Sequence, residues 1–178
     1  MFHFKEYIFA NNWISETVAT EFDLVCERKS TLYDYKSLTF LGFFLSNIVG
    51  GVLSDRFGRK PVLVMSAVAI SLTASAIAIF GHHFYVYPTG RFVLMFSSFY
   101  NQVGYQYCAE LVPPTHRGTV SILVDVAASG VGILLVSLNG YLSRDWIQCH
   151  VFLATTVGIT IPFFMCIPES YRWYFSKR

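Results

Sequence analysis

The sequence predicts an all-α protein that crosses a membrane several times as a bundle of helices. Apolar residues make up 54% of the 178 residues and charged residues only 13%, about half the charged share of ordinary globular domains. Five stretches contain no Asp, Glu, Lys or Arg, and at roughly 18–23 residues each is long enough to cross a bilayer as a helix. Strict alternation of polar and apolar residues is absent, which disfavours a transmembrane β-barrel. Helices then remain as the structure that satisfies backbone groups within lipid.

Five spans with short connections between them are expected to form a single membrane domain. The spans are predicted at residues 37–54, 61–81, 91–109, 118–143 and 146–168. Because only a few residues separate the first two spans, these two are expected to be antiparallel neighbours. Pro61 opens the second span at a position where its missing N–H costs nothing. Residues 169–178 are expected to form a cytoplasmic tail.

Residues 1–36 are predicted to be an extracellular segment. They show no signal peptide, because no short basic region leads into an apolar run that ends at a small-residue cleavage site. The stretch Trp13–Cys26 is amphipathic, which favours a position on or near the membrane surface, and a partly ordered tail is the alternative. Of the four cysteines, only Cys26 lies where a disulfide could form, and none has metal-ligand spacing.

Lysines and arginines divide unevenly between the two sides of the membrane. If the turn between the first two spans is cytoplasmic, that side carries seven of these residues and the opposite side five. The seven are Arg56, Arg59, Lys60, Arg117, Arg172, Lys177 and Arg178, and the five are Lys5, Arg28, Lys29, Lys36 and Arg144. The positive-inside rule then places the N-terminus outside and the C-terminus in the cytoplasm. The net charge is only +2, and the basic residues form no continuous stripe, so no nucleic-acid partner is expected.

The most specific pattern in the chain is GVLSDRFGRK at residues 51–60, which includes the turn between the first two spans. It matches the signature Gly-x-x-x-Asp-Arg-x-Gly-Arg-Lys between the second and third helices of the major facilitator superfamily. Three further features are TEFDLVC at residues 20–26, Arg91-Phe with Glu110 at the two ends of the third span, and PESYRW at residues 168–173. Together they resemble the organic cation, anion and carnitine transporters of that superfamily, over nearly the whole chain from about Trp13.

This resemblance implies a particular architecture and mode of action. Members of the family have twelve helices in two six-helix bundles, and substrate passes between the bundles as they rock against each other. The chain resembles helices two to six, which are part of the N-terminal half, so a fragment or a truncated relative is expected. The implied partners are a small organic-ion substrate, the lipid bilayer of the plasma membrane, and either the missing C-terminal half or another transporter chain. No cofactor and no metal are expected.

The resemblance also assigns roles to charged residues. It implies that Asp55 and Arg59 belong to an inner charge network that holds the two bundles together while the cavity faces outward. The other recurrent members of that network match Glu110, Arg117, Glu169 and Arg172. The alternative is that such charges only anchor the topology, and this role is preferred for Arg56 and Lys60.

Two glycines of the same turn are expected to shape it. Gly58 permits an unusual backbone conformation, and Gly51 allows the first span to pack closely against a neighbouring helix.

Candidates for the substrate cavity are Tyr105, Asn101 and Asp125. By resemblance, Tyr105 occupies a position where cation carriers often place a cavity aromatic, and a tyrosine face can hold an organic cation. Plain packing is the alternative. Asn101, one helical turn earlier, departs from the tryptophan of cation carriers. Asp125 is an acid within a span, where ionisable groups are costly and tend to line pathways; a structural partner such as His150 is the alternative.

These residues bear on three possible classes of function. Transport of small organic ions by alternating access is the function that the resemblance implies, with this chain supplying part of the N-terminal half. The alternative is a truncated, non-transporting membrane protein that associates with a full-length relative. An enzyme is not expected, because the sequence has no catalytic Ser/His/Asp set, no His-x-x-x-His pair and no phosphate-binding loop at suitable spacing.

Overall fold

A computed structural model of the chain describes residues 17–22, 24, 29–113 and 115–169. Over these residues the fold is entirely helical, which confirms the predicted all-α class. The helices are α1 Val18–Glu21, α2 Lys29–Phe57, α3 Arg59–Phe80, α4 Val86–Phe96, α5 Tyr100–Leu111, α6 Arg117–Ser143 and α7 Trp146–Cys166. Most of the N-terminal stretch, including Trp13 and Cys26, and the tail residue Arg172 lie outside the described residues.

Four of the described helices are long and apolar enough to cross a membrane: α2 from Ser30 onward, α3, α6 and α7. Helix α2 has 29 residues and begins well before the predicted first span. At 1.5 Å per residue it is about 43 Å long, which exceeds a hydrocarbon core of about 30 Å. Its first turns, which carry the charged Asp34 and Lys36, therefore extend past the apolar layer.

The third predicted span is built differently from a single helix over residues 91–109. Helices α4 and α5 are joined by a 3-10 turn at Ser97–Phe99. The Ser98 hydroxyl donates to the Met95 carbonyl oxygen at 2.6 Å, so a side chain competes with the helical ladder at this point. The change from α to 3-10 geometry interrupts this span between α4 and α5. This interruption explains why the region is absent from the four continuous apolar helices.

Helix α3 lies at the centre of the bundle, with α7 as its most extensive neighbour and α4 and α5 also against it. Two apolar clusters hold it there. One comprises Val62, Leu63, Phe99, Val103 and Tyr107, and the other Ala74, Ile77, Leu94, Trp146 and Ala154. The first cluster lies toward the end of the bundle where α2 meets α3, which we call the charged end. The second lies toward the opposite end, where Phe84, Tyr87 and Trp146 gather, which we call the aromatic end.

Helix α6 contrasts with this central packing, because none of its residues is buried. Its main contacts are with α5 and α7, and each is less extensive than the contact between α3 and α7. Large apolar side chains such as Ile133, Leu134 and Leu142 are each about two-thirds exposed or more. Its surface is therefore available to lipid or to another helix.

Close approach of α2 to the third span depends on Gly50. A Cβ atom added there would lie 2.5 Å from Cβ of Phe99, whereas at Gly51 no described atom lies within 4 Å. Among the described residues, Gly50 therefore makes the close contact, and the packing role of Gly51 stays a prediction. One residue of helix is a rotation of about 100°, so adjacent glycines face different surroundings.

This difference gives a matched pair of variants. Gly50→Ala is expected to destabilise the bundle by about 1–2 kcal/mol, because α2 and Phe99 must separate to admit the methyl group. Gly51→Ala is expected to be neutral or slightly stabilising, because alanine favours the helix and meets no neighbour. Thermal unfolding of both variants in detergent measures the difference. Equal effects of the two substitutions would contradict the close contact at Gly50.

Candidate functional site

The charged end of the bundle is shaped by an abrupt junction between two helices. Helix α2 ends at Phe57 and α3 begins at Arg59, so Gly58 is the one non-helical residue between them. Gly58 has φ 104° and ψ 162°, a backbone conformation essentially restricted to glycine. The junction is therefore shorter than the gap of residues 55–60 between the first two predicted spans. Asp55 remains on the last turn of α2 while Arg59 opens α3.

Arg59 is the centre of the site. Its Nη1 donates to Oδ1 of Asp55 at 2.7 Å, and its Nη2 donates to Oε1 of Glu110 at 3.1 Å. Nη1 also donates to the Ser54 carbonyl oxygen at 2.7 Å, near the end of α2. The planar fork of the guanidinium suits it to several acceptors at once. One side chain thus connects the end of α2, the start of α3 and the end of α5.

The two ion pairs of Arg59 differ in environment. The Asp55 side chain is 73% exposed, so water screens its pair, which contributes little to stability. Arg59 and Glu110 are 13% and 12% exposed, so their pair is largely desolvated and strongly dependent on both partners being present. Glu110 is therefore the structurally important partner, and Asp55 is the accessible one.

Glu169 brings the end of α7 to the charged end of the bundle, beside Arg59. Its Oε1 accepts hydrogen bonds from the backbone N–H groups of Arg59 at 2.9 Å and Lys60 at 3.1 Å. The first N–H groups of a helix have no partner within the helix, and the helix dipole there favours a negative charge. Glu169 thus caps α3 from a distant part of the sequence and draws the end of α7 to the charged end.

Two neutral contacts at this end were not predicted from the sequence. The Ser54 hydroxyl donates to Oε1 of Gln106 at 3.3 Å, and the Tyr107 hydroxyl donates to the Pro168 carbonyl oxygen at 2.9 Å. Gln106 precedes Glu110 by four residues and therefore lies on the same face of α5. That spacing is the signal which could have identified Gln106. The Tyr107 contact depends on where the chain after α7 lies, for which the sequence holds no local signal.

The remaining charged residues of the predicted set have separate positions. Arg117, at the start of α6, donates from Nε to the Ala109 carbonyl oxygen at 2.7 Å, so its observed partner is a backbone group. Arg56 is exposed, with its guanidinium 5.8 Å from the Phe57 ring. The backbone of Lys60 contributes to the Glu169 contact. The structure therefore brings Asp55, Arg59, Glu110 and Glu169 together.

The three cavity candidates do not share contacts of this kind. Tyr105 is half-buried and Asn101 is exposed, one turn apart on α5. Asp125 is exposed on α6, and its carboxylate makes no hydrogen bond or ion pair with the part of the chain that is described. His150 donates from Nδ1 to the Trp146 carbonyl oxygen at 2.9 Å, a contact within its own helix, so it is not a partner of Asp125. These three assignments stay predictions.

The site consists of ion pairs and backbone contacts. Among the described residues, no group of three or more His, Cys, Asp or Glu side chains could hold a metal ion. Arg59 has a further donor, Nε, which is buried and unpaired within the described structure. The arrangement can hold the ends of α2, α3, α5 and α7 together and can exchange partners when those ends separate.

Comparison with known proteins identifies relatives of the whole described bundle. Residues 36–175 match the Major Facilitator Superfamily. Solute carrier family 22 member 16 of Homo sapiens is 34% identical over 175 residues, which cover 96% of this chain and 30% of that protein. Solute carrier family 22 member 2 of Oryctolagus cuniculus is 32% identical over 178 residues, which cover 94% of this chain and 31% of that protein.

A third relative is the organic cation transporter-like protein of Drosophila melanogaster, 31% identical over 174 residues, which cover 97% of this chain. The chain spans about 30% of the length of the curated relatives that it matches. The matched region contains the Gly58 junction and all four residues of the charge cluster. The chain is thus an integral membrane protein that belongs to the Major Facilitator Superfamily, with its relatives in solute carrier family 22.

Proposed function

We propose that this chain supplies part of the N-terminal half of a carrier that moves small organic ions across the plasma membrane by alternating access. The proposal rests most directly on Arg59, which connects the ends of α2 and α5 through Asp55 and Glu110. Alternating access requires an element with two arrangements whose free energies differ between the two states of the carrier. A multiply bonded guanidinium at the meeting point of helix ends is suited to be such an element.

In the proposed mechanism, Asp55 and Arg59 form part of a gate. Glu110 and Glu169 hold Arg59 and the start of α3 in place, whereas Asp55 is accessible at the surface of the bundle. Asp55 can therefore exchange partners with a second bundle without disturbing the buried pair. The buried Nε of Arg59 offers one more donor for an arriving acceptor. Arg117 and Arg172 would complete the network, and Arg56 and Lys60 would anchor the charged end in the cytoplasm.

The proposed substrates are organic cations, organic anions or carnitine-like zwitterions. Support comes from the relatives in solute carrier family 22 and from the organic cation transporter-like protein. Tyr105, Asn101 and Asp125 are the proposed cavity residues. The proposed orientation in the membrane places the charged end in the cytoplasm. The N-terminus and the aromatic end are then extracellular.

Neutralising Asp55 tests the gate. In a full-length relative, Asn at the position of Asp55 is expected to lower uptake of a labelled organic ion about tenfold, with the amount at the cell surface unchanged. Gln at the neighbouring Arg56 position is the matched control, because that residue is exposed and is proposed only as an anchor. Unchanged uptake with Asn at the Asp55 position, at equal surface amount, would refute the gate role.

A second candidate function is a non-transporting membrane protein that associates with a full-length relative. The unburied surface of α6 favours it, because that helix can accept another membrane helix. Vesicles containing only this chain distinguish the two candidates when a labelled quaternary ammonium ion or a labelled organic carboxylate is added outside them. Uptake by the chain alone supports transport. Absence of uptake together with co-purification of a co-expressed relative supports association.

A further inference from the structure

Residues 17–22 and Leu24 lie against the aromatic end of the bundle. Within them, α1 has only four residues, too few to be stable as an isolated helix. Tertiary contacts hold it in place: Phe22 is 9% exposed and the neighbouring Leu24 is 2% exposed. The Phe22 ring lies 5.8 Å from that of Phe84 and 6.1 Å from that of Tyr87. The segment is therefore docked onto the turn between α3 and α4.

The carboxylate of Glu21 makes the polar contacts of this docking. Its Oε2 accepts a hydrogen bond from Nε1 of Trp146 at 2.6 Å, and its Oε1 contacts Nδ1 of His82 at 2.5 Å. An ionised carboxylate only accepts hydrogen bonds, so Nδ1 of His82 carries the proton. Both contacts are charge-assisted and short. His82 lies between α3 and α4, and Trp146 begins α7. One side chain thus joins three separate parts of the chain.

The aromatic rings beneath Glu21 keep its two donors in position. The Trp146 ring packs edge-on against Tyr87 at 5.3 Å and against His150 at 5.7 Å. Val18, one turn before Phe22, packs against the same cluster. The Trp146 ring is therefore held among its neighbours, and its N–H is directed toward Glu21.

We propose that Glu21 fastens residues 17–22 and Leu24 as a strap across the aromatic end, so that these residues move as one body with α3, α4 and α7. Glu21 is a positioning residue in this device. The chain before α2 is then attached to the bundle twice, covalently through α2 and noncovalently through Glu21. The strap does not depend on what the bundle transports.

Cysteine labelling in the chain itself tests the strap. Val18→Cys is introduced after replacement of the four native cysteines. Permeabilised membranes, in which the reagent reaches both faces, are then treated with a maleimide. The parent is expected to label slowly, because Val18 is packed against the aromatic cluster. Glu21→Gln is expected to increase the labelling rate about tenfold, since the neutral amide removes the charge that strengthens both hydrogen bonds.

Three controls make the result decisive. Asp34→Asn removes another carboxylate before the first predicted span, an exposed one, and is expected to leave the rate unchanged. His82→Ala removes one of the two donors to Glu21, from a side chain that is 56% exposed. It is expected to increase the labelling rate by a smaller factor than Glu21→Gln does. If the Glu21→Gln protein does not accumulate, His82→Ala replaces it as the test. A cysteine at buried Ala154 is expected to label slowly throughout. An unchanged Val18→Cys rate in the Glu21 or His82 variants, or equal acceleration at Ala154, would overturn the strap.

Discussion

Replacement of Arg59 with glutamine is expected to destabilise the chain by roughly 3 kcal/mol, because it breaks a largely buried ion pair. The Arg59–Glu110 pair is desolvated on both sides, and the same side chain also binds the Ser54 carbonyl oxygen. Glutamine is shorter and uncharged, so it cannot reach these acceptors together. In detergent, the thermal midpoint is expected to fall by roughly 5–10 °C.

Two further substitutions separate charge from geometry at this position. Arg59→Lys keeps the charge but lacks the planar fork, so it is expected to recover only part of the lost stability. Arg56→Gln removes the same residue type three positions earlier from an exposed site, and is expected to shift the midpoint by a small fraction of the Arg59→Gln effect. If Arg59→Gln and Arg56→Gln had equal effects, the buried pair would not be what holds the charged end together.

Replacement of Gly58 with alanine is expected to cost about 2–3 kcal/mol. At φ 104° and ψ 162° a Cβ atom is strongly disfavoured, whatever space surrounds it. Relief of this strain would rotate the first residues of α3 and move the N–H groups of Arg59 and Lys60 away from Glu169. The variant therefore loses both local backbone energy and the contact with the end of α7.

Thermal unfolding and protease sensitivity of the junction measure this loss. Gly118→Ala is a suitable control, because no described atom lies within 4 Å of an added Cβ and the residue is helical. The control is expected to unfold like the parent. A Gly58→Ala protein as stable as the Gly118→Ala protein would show that the junction tolerates another conformation.

The sequence predicted helices well where long apolar stretches have charged or turn-forming ends. It predicted α3, α6 and α7 to within a few residues of their observed bounds. The first predicted span begins at residue 37, later than α2 itself, because the absence of charge marks the apolar layer, whereas the helix continues through Asp34 and Lys36. The 3-10 turn at Ser97–Phe99 was not predicted, since it depends on a side-chain hydrogen bond within an otherwise apolar region.

The charge cluster was predicted because its members belong to a recognisable pattern, but the individual partners were not. Asp55 and Arg59 are only four residues apart, but they lie on different helices, and the Gly58 junction brings them together. The Glu110 and Glu169 contacts join residues separated by 51 and 110 positions, and only the packing of α3 against α5 and α7 determines them. Glu21 was not identified for the same reason, because its two donors lie 61 and 125 residues away.

The separation of 110 residues between Arg59 and Glu169 has a consequence for biosynthesis. Contacts between distant parts of a chain form only after both parts exist and the intervening loop has closed. While the ribosome is still making α4 to α7, the first N–H groups of α3 lack their carboxylate. The hairpin of α2 and α3 is therefore completed only after α7 has been made, and a nascent chain arrested before Glu169 would enter the membrane with this helix end uncapped.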